Sequence, residues 1–206
     1  MARNNQIILG HKNPKKIIYL ACEGGASGTE WTYIKQLCDK YNCFIVPMDK
    51  RSPDPETLAD IAMEYSRRSP TWRGKKSEIW IVFDNDAPAK VLAAFTKIDQ
   101  YNHIKKSNCL SISIAFNAPT IETFGLLCCR VFKISGNARR NQTKLHISMP
   151  KYEHTKNPQF DFDMMESGYA TAVHYAMNWQ NSLAGAPEYT ACPFAGIYKL
   201  TESIKK

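Results

Sequence analysis

The sequence predicts an α/β fold around a four-stranded, mostly parallel sheet with helices on both faces. Three observations carry that reading. Short apolar runs at 17–22 (IIYLAC), 43–48 (CFIVPM), 78–83 (EIWIVF) and 109–115 (CLSISIA) alternate with segments of helical periodicity, four times over, up to about residue 133. The first and third runs are almost unbroken, as expected for strands covered on both faces. A chain of 206 residues, 44% hydrophobic and 22% charged, is long enough for one domain with a substantial core.

Each element has its own signal. After 17–22 comes a glycine-rich turn, GGASG, and a helix from about Thr29 to Tyr41 with Trp31, Ile34, Leu37, Cys38 and Tyr41 on one stripe. SPDPE (52–56) opens a second helix that turns Leu58, Ile61, Ala62 and Tyr65 inward, and Pro70 to Lys76 reads as a loop. The strand 78–83 ends at Asp84. Pro88 suits the first turn of a helix whose apolar face is Val91, Phe95 and Ile98. Residues 109–115 alternate as a half-buried strand would, and Pro119 starts a helix with Ile121, Phe124, Leu127, Cys128 and Val131 on one side. The Asn-, Ser- and Lys-rich stretch 134–156 reads as a long loop or insertion, and two helices, near 163–183 and 194–205, form a C-terminal extension.

The formal net charge of +8 is unevenly distributed. Residues 1–16 hold Arg3, Lys12, Lys15 and Lys16 with no acid, as a basic N-terminal arm. Residues 130–156 hold Arg130, Lys133, Arg139, Arg140, Lys144, Lys151 and Lys156 against Glu153 alone. Such clustering is the footprint of a polyanion binder, nucleic acid above all; a solvated basic loop has the same composition. The seven cysteines show no CxxC pair or zinc spacing and read as reduced, buried thiols of a cytoplasmic protein. No apolar run is long enough for a membrane span, so no membrane partner is expected.

Three acids stand at the carboxyl ends of strands, where open α/β sheets bind ligands. Glu23 follows the first strand, and Asp84 and Asp86 follow the third in IWIVFDNDAP. Clustered carboxylates repel one another and are stabilised by a cation; hard oxygen donors select Mg²⁺ or Mn²⁺. The alternative for each acid is a turn or cap role, Asp86 standing where an N-cap would. GGASGTE lacks the Lys-Ser/Thr of a phosphate-binding P-loop. Cys22 reads as packing rather than a nucleophile, and the five histidines (11, 103, 146, 154 and 174) show no ligand pairing and read as surface residues. A haloacid-type phosphatase would carry its D-x-D after the first strand, not the third.

These motifs resemble a family. CEGGASGTEWTYIKQL resembles the opening of RloB-like proteins, SEIWIVFDNDAP is similar to their D-x-D strand, and AFNAPTIETFGLLCCRVF to their following helix. PKYEHTKN, the Ala-rich helix near 170–177 and CPFAGIYKLTESI continue the match, so the likeness runs from about 17 to 204. The resemblance implies a Toprim-like fold binding Mg²⁺, with Glu23 as general acid/base and Asp84 and Asp86 on the metal. It further implies Glu30 as a supporting or second-metal carboxylate and Glu122 as another site acid. Lys151 or Lys156 would be a basic contact to the scissile phosphate. RloB-like proteins are bacterial nuclease effectors of phage defence, often encoded beside an ATPase.

Two functions follow as expectations. The first is a Mg²⁺-dependent Toprim-type nuclease or phosphotransferase acting on DNA or on RNA such as tRNA, gripped by the basic segments, with Tyr152 and Phe160 available to stack bases or to pack. The second is a non-catalytic nucleic-acid-binding or sensor subunit partnering an ATPase. Its support is that the post-strand helix lacks the family's Trp and His and the closing segment reads CPFAG.

Overall fold

The computed structural model describes residues 16–49, 54–68 and 76–206. Five strands, β1 (Lys16–Cys22), β2 (Cys43–Pro47), β3 (Lys76–Asp84), β4 (Ile112–Ala118) and β5 (Phe194–Ala195), form one sheet in the order β2-β1-β3-β4-β5. The first four are parallel and β5 is antiparallel to β4. The helices are α1 (Thr29–Lys40), α2 (Pro55–Arg68), α3 (Pro88–Ile104), α4 (Glu122–Cys128), α5 (Ala138–Ser148), α6 (Phe162–Ser182) and α7 (Ile197–Lys205). This is a mixed α/β architecture broadly consistent with the Toprim-like fold.

Alternation along β1 shows why both faces are covered. Ile18, Leu20 and Cys22 join a core with residues of α1, α4, α6 and α7, while Ile17, Tyr19 and Ala21 join a second core with α2 and α3. A strand whose two faces are both dry has no polar position to spare, hence the unbroken apolar run. Lys16, read as part of an open arm, instead opens β1 and is buried. Its ammonium lies 2.9 Å from Glu78 and 2.6 Å from the carbonyl of Ser203, so it ties β1 to β3 and α7 instead of reaching for a phosphate. Arg3, Lys12, Lys15, the start of SPDPE and nearly all of the 70–76 loop lie outside the described residues.

Three elements differ from the sequence expectation. β4 runs three residues later than 109–115, because the Asn102 side chain bonds both N–H and C=O of Ile112 (2.9 and 2.8 Å) and fixes the strand's start there. Its second half, Ala115 to Ala118, is buried on both sides and shows no alternation. The 134–156 stretch is not a loop throughout, since it contains α5. That helix buries only Asn141 and Leu145, too little for an apolar stripe, but Asn137 caps it by accepting from the Arg140 N–H at 3.0 Å. Finally, 194–205 is not one helix: Phe194 and Ala195 pair with β4 before Gly196 leads into α7, and two residues are too few to show a strand pattern.

α4 is buried along its whole length, and α6 crosses it closely at Gly168. A Cβ on Gly168 would come within 1.8 Å of the Cys128 carbonyl oxygen, so the helices must separate to admit it. Gly168→Ala is therefore expected to cost about 3 kcal/mol by overpacking, read as a lower urea midpoint with little change in slope.

Candidate functional site

The parallel register brings the sequence acids to one edge. Cys22 pairs with Val82 and Asp84 with Asn117, so β1, β3 and β4 end side by side. Glu23 leaves β1 with its N–H on the Val82 carbonyl (3.0 Å) and its Oε2 accepting from the Asp84 N–H at 3.1 Å. Asn117, fully buried, donates to Asp84 Oδ1 at 3.3 Å while its own Oδ1 accepts from the Ile197 N–H. Asp86 is exposed, and it does not cap α3, whose N-cap is Ala87 without a side-chain bond.

Glu30 reaches the same place by way of the glycine turn. Gly24 and Gly28 approach so closely that a Cβ on Gly28 would lie 2.8 Å from the Gly24 Cα, and one on Gly24 would lie 2.9 Å from Glu30 Oε2. The turn thus folds back on itself and brings the first turn of α1 to the strand ends. Glu23, Glu30, Asp84 and Asp86 line one cleft of about 490 Å³, with Gln142 and His154 on its wall. Among the described residues no lysine or arginine lines it.

The charges in this cleft are unsettled. Burial pushes Glu23 up to about 7, helped by the negative charges of Asp86 and Glu30 and by a hydrogen bond shared with Asp86; the Asp84 N–H opposes the rise. Burial likewise pushes Glu30 up to about 7, with Glu122 adding to the rise and its own amide and His154 opposing it. Asp84 is raised well above the carboxylate range by burial and then by Glu30, Glu122 and Glu23. The Cys22 thiol next door is raised by burial and the same acids, which leaves it unreactive and makes it a packing residue.

Glu122, the first residue of α4, is fully buried but differs from the others. The phenol of Tyr152 donates to its Oε1, and His154 Nδ1 lies 2.9 Å from the same oxygen. Against burial, which alone would raise it, the bond from His154, the nearby Thr120 hydroxyl dipole and the bond from Tyr152 hold Glu122 below its usual range. His154 was a surface residue by sequence; it is half exposed, but it lines the cleft. Tyr152 and Phe160 pack in the core with ring centroids 5.4 Å apart, so packing, not base stacking, is their use.

The basic residues sit elsewhere. Lys151 and Lys156 are exposed between α5 and α6 and do not line the cleft, Lys156 standing 3.6 Å from Glu153. Arg130, Lys133, Arg139 and Arg140 are exposed, and Lys144 bonds the Lys133 carbonyl at 2.6 Å. Arg139 and Arg140 follow Ala138, the α5 residue that lines the cleft together with Gln142.

A family model for RloB-like proteins matches residues 18–204. The chain belongs to that family. No curated protein and no solved structure matches it. In this RloB-like chain the Glu of the opening motif and both aspartates of the D-x-D line one cleft.

The donor set suits a divalent cation: hard carboxylate oxygens, mutually repelling, with no cationic side chain of Lys or Arg type beside them. Among the described residues no three His, Cys, Asp or Glu are gathered around one point, and Asp86 is exposed. No described helix is long and apolar enough to cross a membrane.

The raised carboxyls have a consequence for stability. Glu30, at about 7 in the folded chain against 4.5 ordinarily, keeps its proton where the unfolded chain has released it. Its contribution is present below about pH 4.5 and is lost as pH rises through about 7. In EDTA, Glu30→Gln is therefore expected to lose less Tm than the wild type between about pH 5 and about pH 8, by several degrees in thermal melts. Equal losses would show that this carboxyl ionises freely.

Proposed function

We propose that this RloB-like protein is a metal-dependent phosphodiesterase of the Toprim-type nuclease class, acting on nucleic acid, with Mg²⁺ or Mn²⁺ as its ion. The observation that carries the reading is the convergence of Glu23, Asp84 and Asp86, from two strand ends, on one cleft that also takes in Glu30 and holds no lysine or arginine among the described residues. Asp84 and Asp86 would hold the ion, with Glu30 supporting them. Bound there, a divalent cation supplies charge stabilisation to a phosphate undergoing displacement.

Glu23 does the proton work. Its carboxyl, raised to about 7, is balanced between its two protonation states near neutral pH, the condition under which a general base is most effective. As the carboxylate it takes a proton from the water that attacks phosphorus; the bond from phosphorus to the leaving sugar oxygen breaks, and that oxygen takes a proton from solvent to leave as a hydroxyl. The Asp84 N–H holds Glu23 Oε2 in place, and Asn117 does the same for Asp84. Arg139 and Arg140, exposed on the helix whose first residue lines the cleft, supply charge to neighbouring phosphates of a strand. The defensive role and an ATPase partner stay part of this proposal on family grounds.

Glu122 leaves the ligand set in this reading. Both bonds to its Oε1 come from Tyr152 and His154, and it is sealed from the solvent.

The test is cleavage of plasmid, single-stranded DNA and total tRNA with Mg²⁺ or Mn²⁺. Glu23→Gln is expected to lower kcat by about 10²–10⁴, the share of general acid–base catalysis. Asp84→Asn is expected to abolish cleavage while raising Tm in EDTA, because it removes a buried charge that the fold repels. Cleavage that survives Glu23→Gln undiminished would remove that residue's role. A wild type that binds these substrates but cuts none, with its ATPase partner present, would favour the non-catalytic subunit instead.

A further inference from the structure

The nuclease reading uses every acid that lines the cleft and leaves aside Glu122, the fully buried acid behind His154. Glu122 has one oxygen, Oε1, that takes both the Tyr152 phenol and His154 Nδ1, while Oε2 is sealed without a hydrogen-bond partner. A carboxylate buried with an orphaned oxygen is a poor source of stability, since an unsatisfied buried acceptor costs about 1–3 kcal/mol. What this arrangement does secure is the orientation of an imidazole.

His154 has a half-exposed side chain on a short segment between α5 and α6, where an untethered ring would sample several rotamers. Glu122 fixes it. Because Glu122 is held ionised, the shared bond must run from Nδ1–H to the carboxylate. That leaves the opposite edge of the ring, Nε2, as the one the cleft can use. Tyr152 fixes Glu122 in turn: its ring packs on Phe160, and the His146 Nδ1 bond to the Tyr152 carbonyl (2.8 Å) holds the backbone there. The chain of support therefore runs from the core outward and ends at His154, which lines the cleft. The bond to Glu122 also raises the pKa of His154, with the charge of Glu30 adding to it, so the ring holds its proton more firmly than an ordinary histidine.

We propose that His154 is the phosphate-contacting residue of this cleft, donating from Nε2 to a non-bridging oxygen of the bound phosphodiester, with Glu122 and Tyr152 as its positioning residues. The inference rests on the nucleic-acid reading of the same cleft. Among the described residues it is the side chain there that can bring a positive charge to a phosphate, since the other nitrogen-bearing side chain, Gln142, is neutral. The lysines that sequence reasoning chose for this task, Lys151 and Lys156, stand outside the cleft. A cleft of four acids would otherwise meet its anionic substrate with the ion alone.

The experiment is equilibrium binding of fluorescein-labelled single-stranded DNA and RNA 20-mers by anisotropy. It is run in CaCl₂, whose ion shares the oxygen-ligand preference of Mg²⁺, across a NaCl series. His154→Ala, a change at a half-exposed side chain, is checked for an unaltered melting transition. It is expected to bind about tenfold more weakly, the loss of one charge-assisted hydrogen bond. Its slope of log affinity against log salt should be shallower by about 0.7, the loss of one phosphate contact on a single strand. His154→Lys, which keeps a cationic donor, should recover affinity to within about threefold and restore the slope.

A folded His154→Ala protein with wild-type affinity and slope overturns the proposal. So does a loss that Lys fails to restore, which would make the ring structural, and so does a wild type that binds neither strand. Cleavage enters none of these readouts. A wild type that cuts nothing yet shows the salt-slope change refutes the nuclease reading and leaves the phosphate contact standing. A working nuclease whose His154→Ala variant binds unchanged does the reverse.

Discussion

Mutual repulsion among carboxylates at the carboxyl edge of the sheet is the constraint to which the rest of the site answers. Glu23, Glu30 and Asp84 are each raised first by burial; the charge of Glu30 adds to the rise of Glu23 and Asp84, Glu122 to that of Glu30 and Asp84, and Asp86 to that of Glu23. A fold selected for stability alone would scatter these groups or pair each with a lysine, as it does with Lys16 and Glu78 at the other end of the same strands. The two ends of the sheet thus follow opposite rules. One end satisfies its buried charge within the chain, and at the other, among the described residues, no lysine or arginine lines the cleft that holds the acids.

Holding like charges together takes rigid backbone, and the parallel sheet provides it. β1, β3 and β4 are tied through a continuous register, and the backbone N–H of Asp84 holds Glu23 Oε2. Asn117 carries more than its share. From one buried amide it bonds Asp84 and the first N–H of α7, so the last helix and the D-x-D strand are set by the same residue. Gly196 adds to this junction, since a Cβ there would lie 2.4 Å from the Phe116 carbonyl oxygen. The short β5 is best understood as part of this clasp: it pairs with Asn117 and Ala118 and brings α7 against β4.

Much of this was legible in the sequence, for physical reasons. Parallel strands covered on both faces must be apolar throughout, so β1 and β3 announced themselves, and an acid directly after such a strand is at the ligand edge by topology. What the sequence hid depends on contacts between distant residues. α5 has a cap and good helix formers but only two buried residues, so its periodicity is faint. His154 is one of five unpaired histidines until α4 places Glu122 2.9 Å from its ring. Lys16 belongs by charge to a basic arm and by position to β1, and only Glu78 and Ser203 decide between them. Asn117 had no signal at all, since an asparagine at a strand end is ordinary turn chemistry.

The opposition between a basic chain and an acidic cleft resolves once distance is considered. The exposed arginines of α5 do not line the cleft that the acids line, so on the nuclease reading the two sets act on different parts of a ligand. On the nuclease reading, flanking phosphates meet Arg139 and Arg140, while the scissile phosphate meets a divalent ion and the imidazole of His154. Only the last of these must be held at a fixed place, because flanking contacts need charge alone whereas a reacting phosphate needs geometry. On that reading the difference accounts for the two kinds of basic residue near the cleft. The arginines are exposed and without a buried support, while the histidine is anchored to a buried carboxylate, which is in turn anchored to a buried tyrosine.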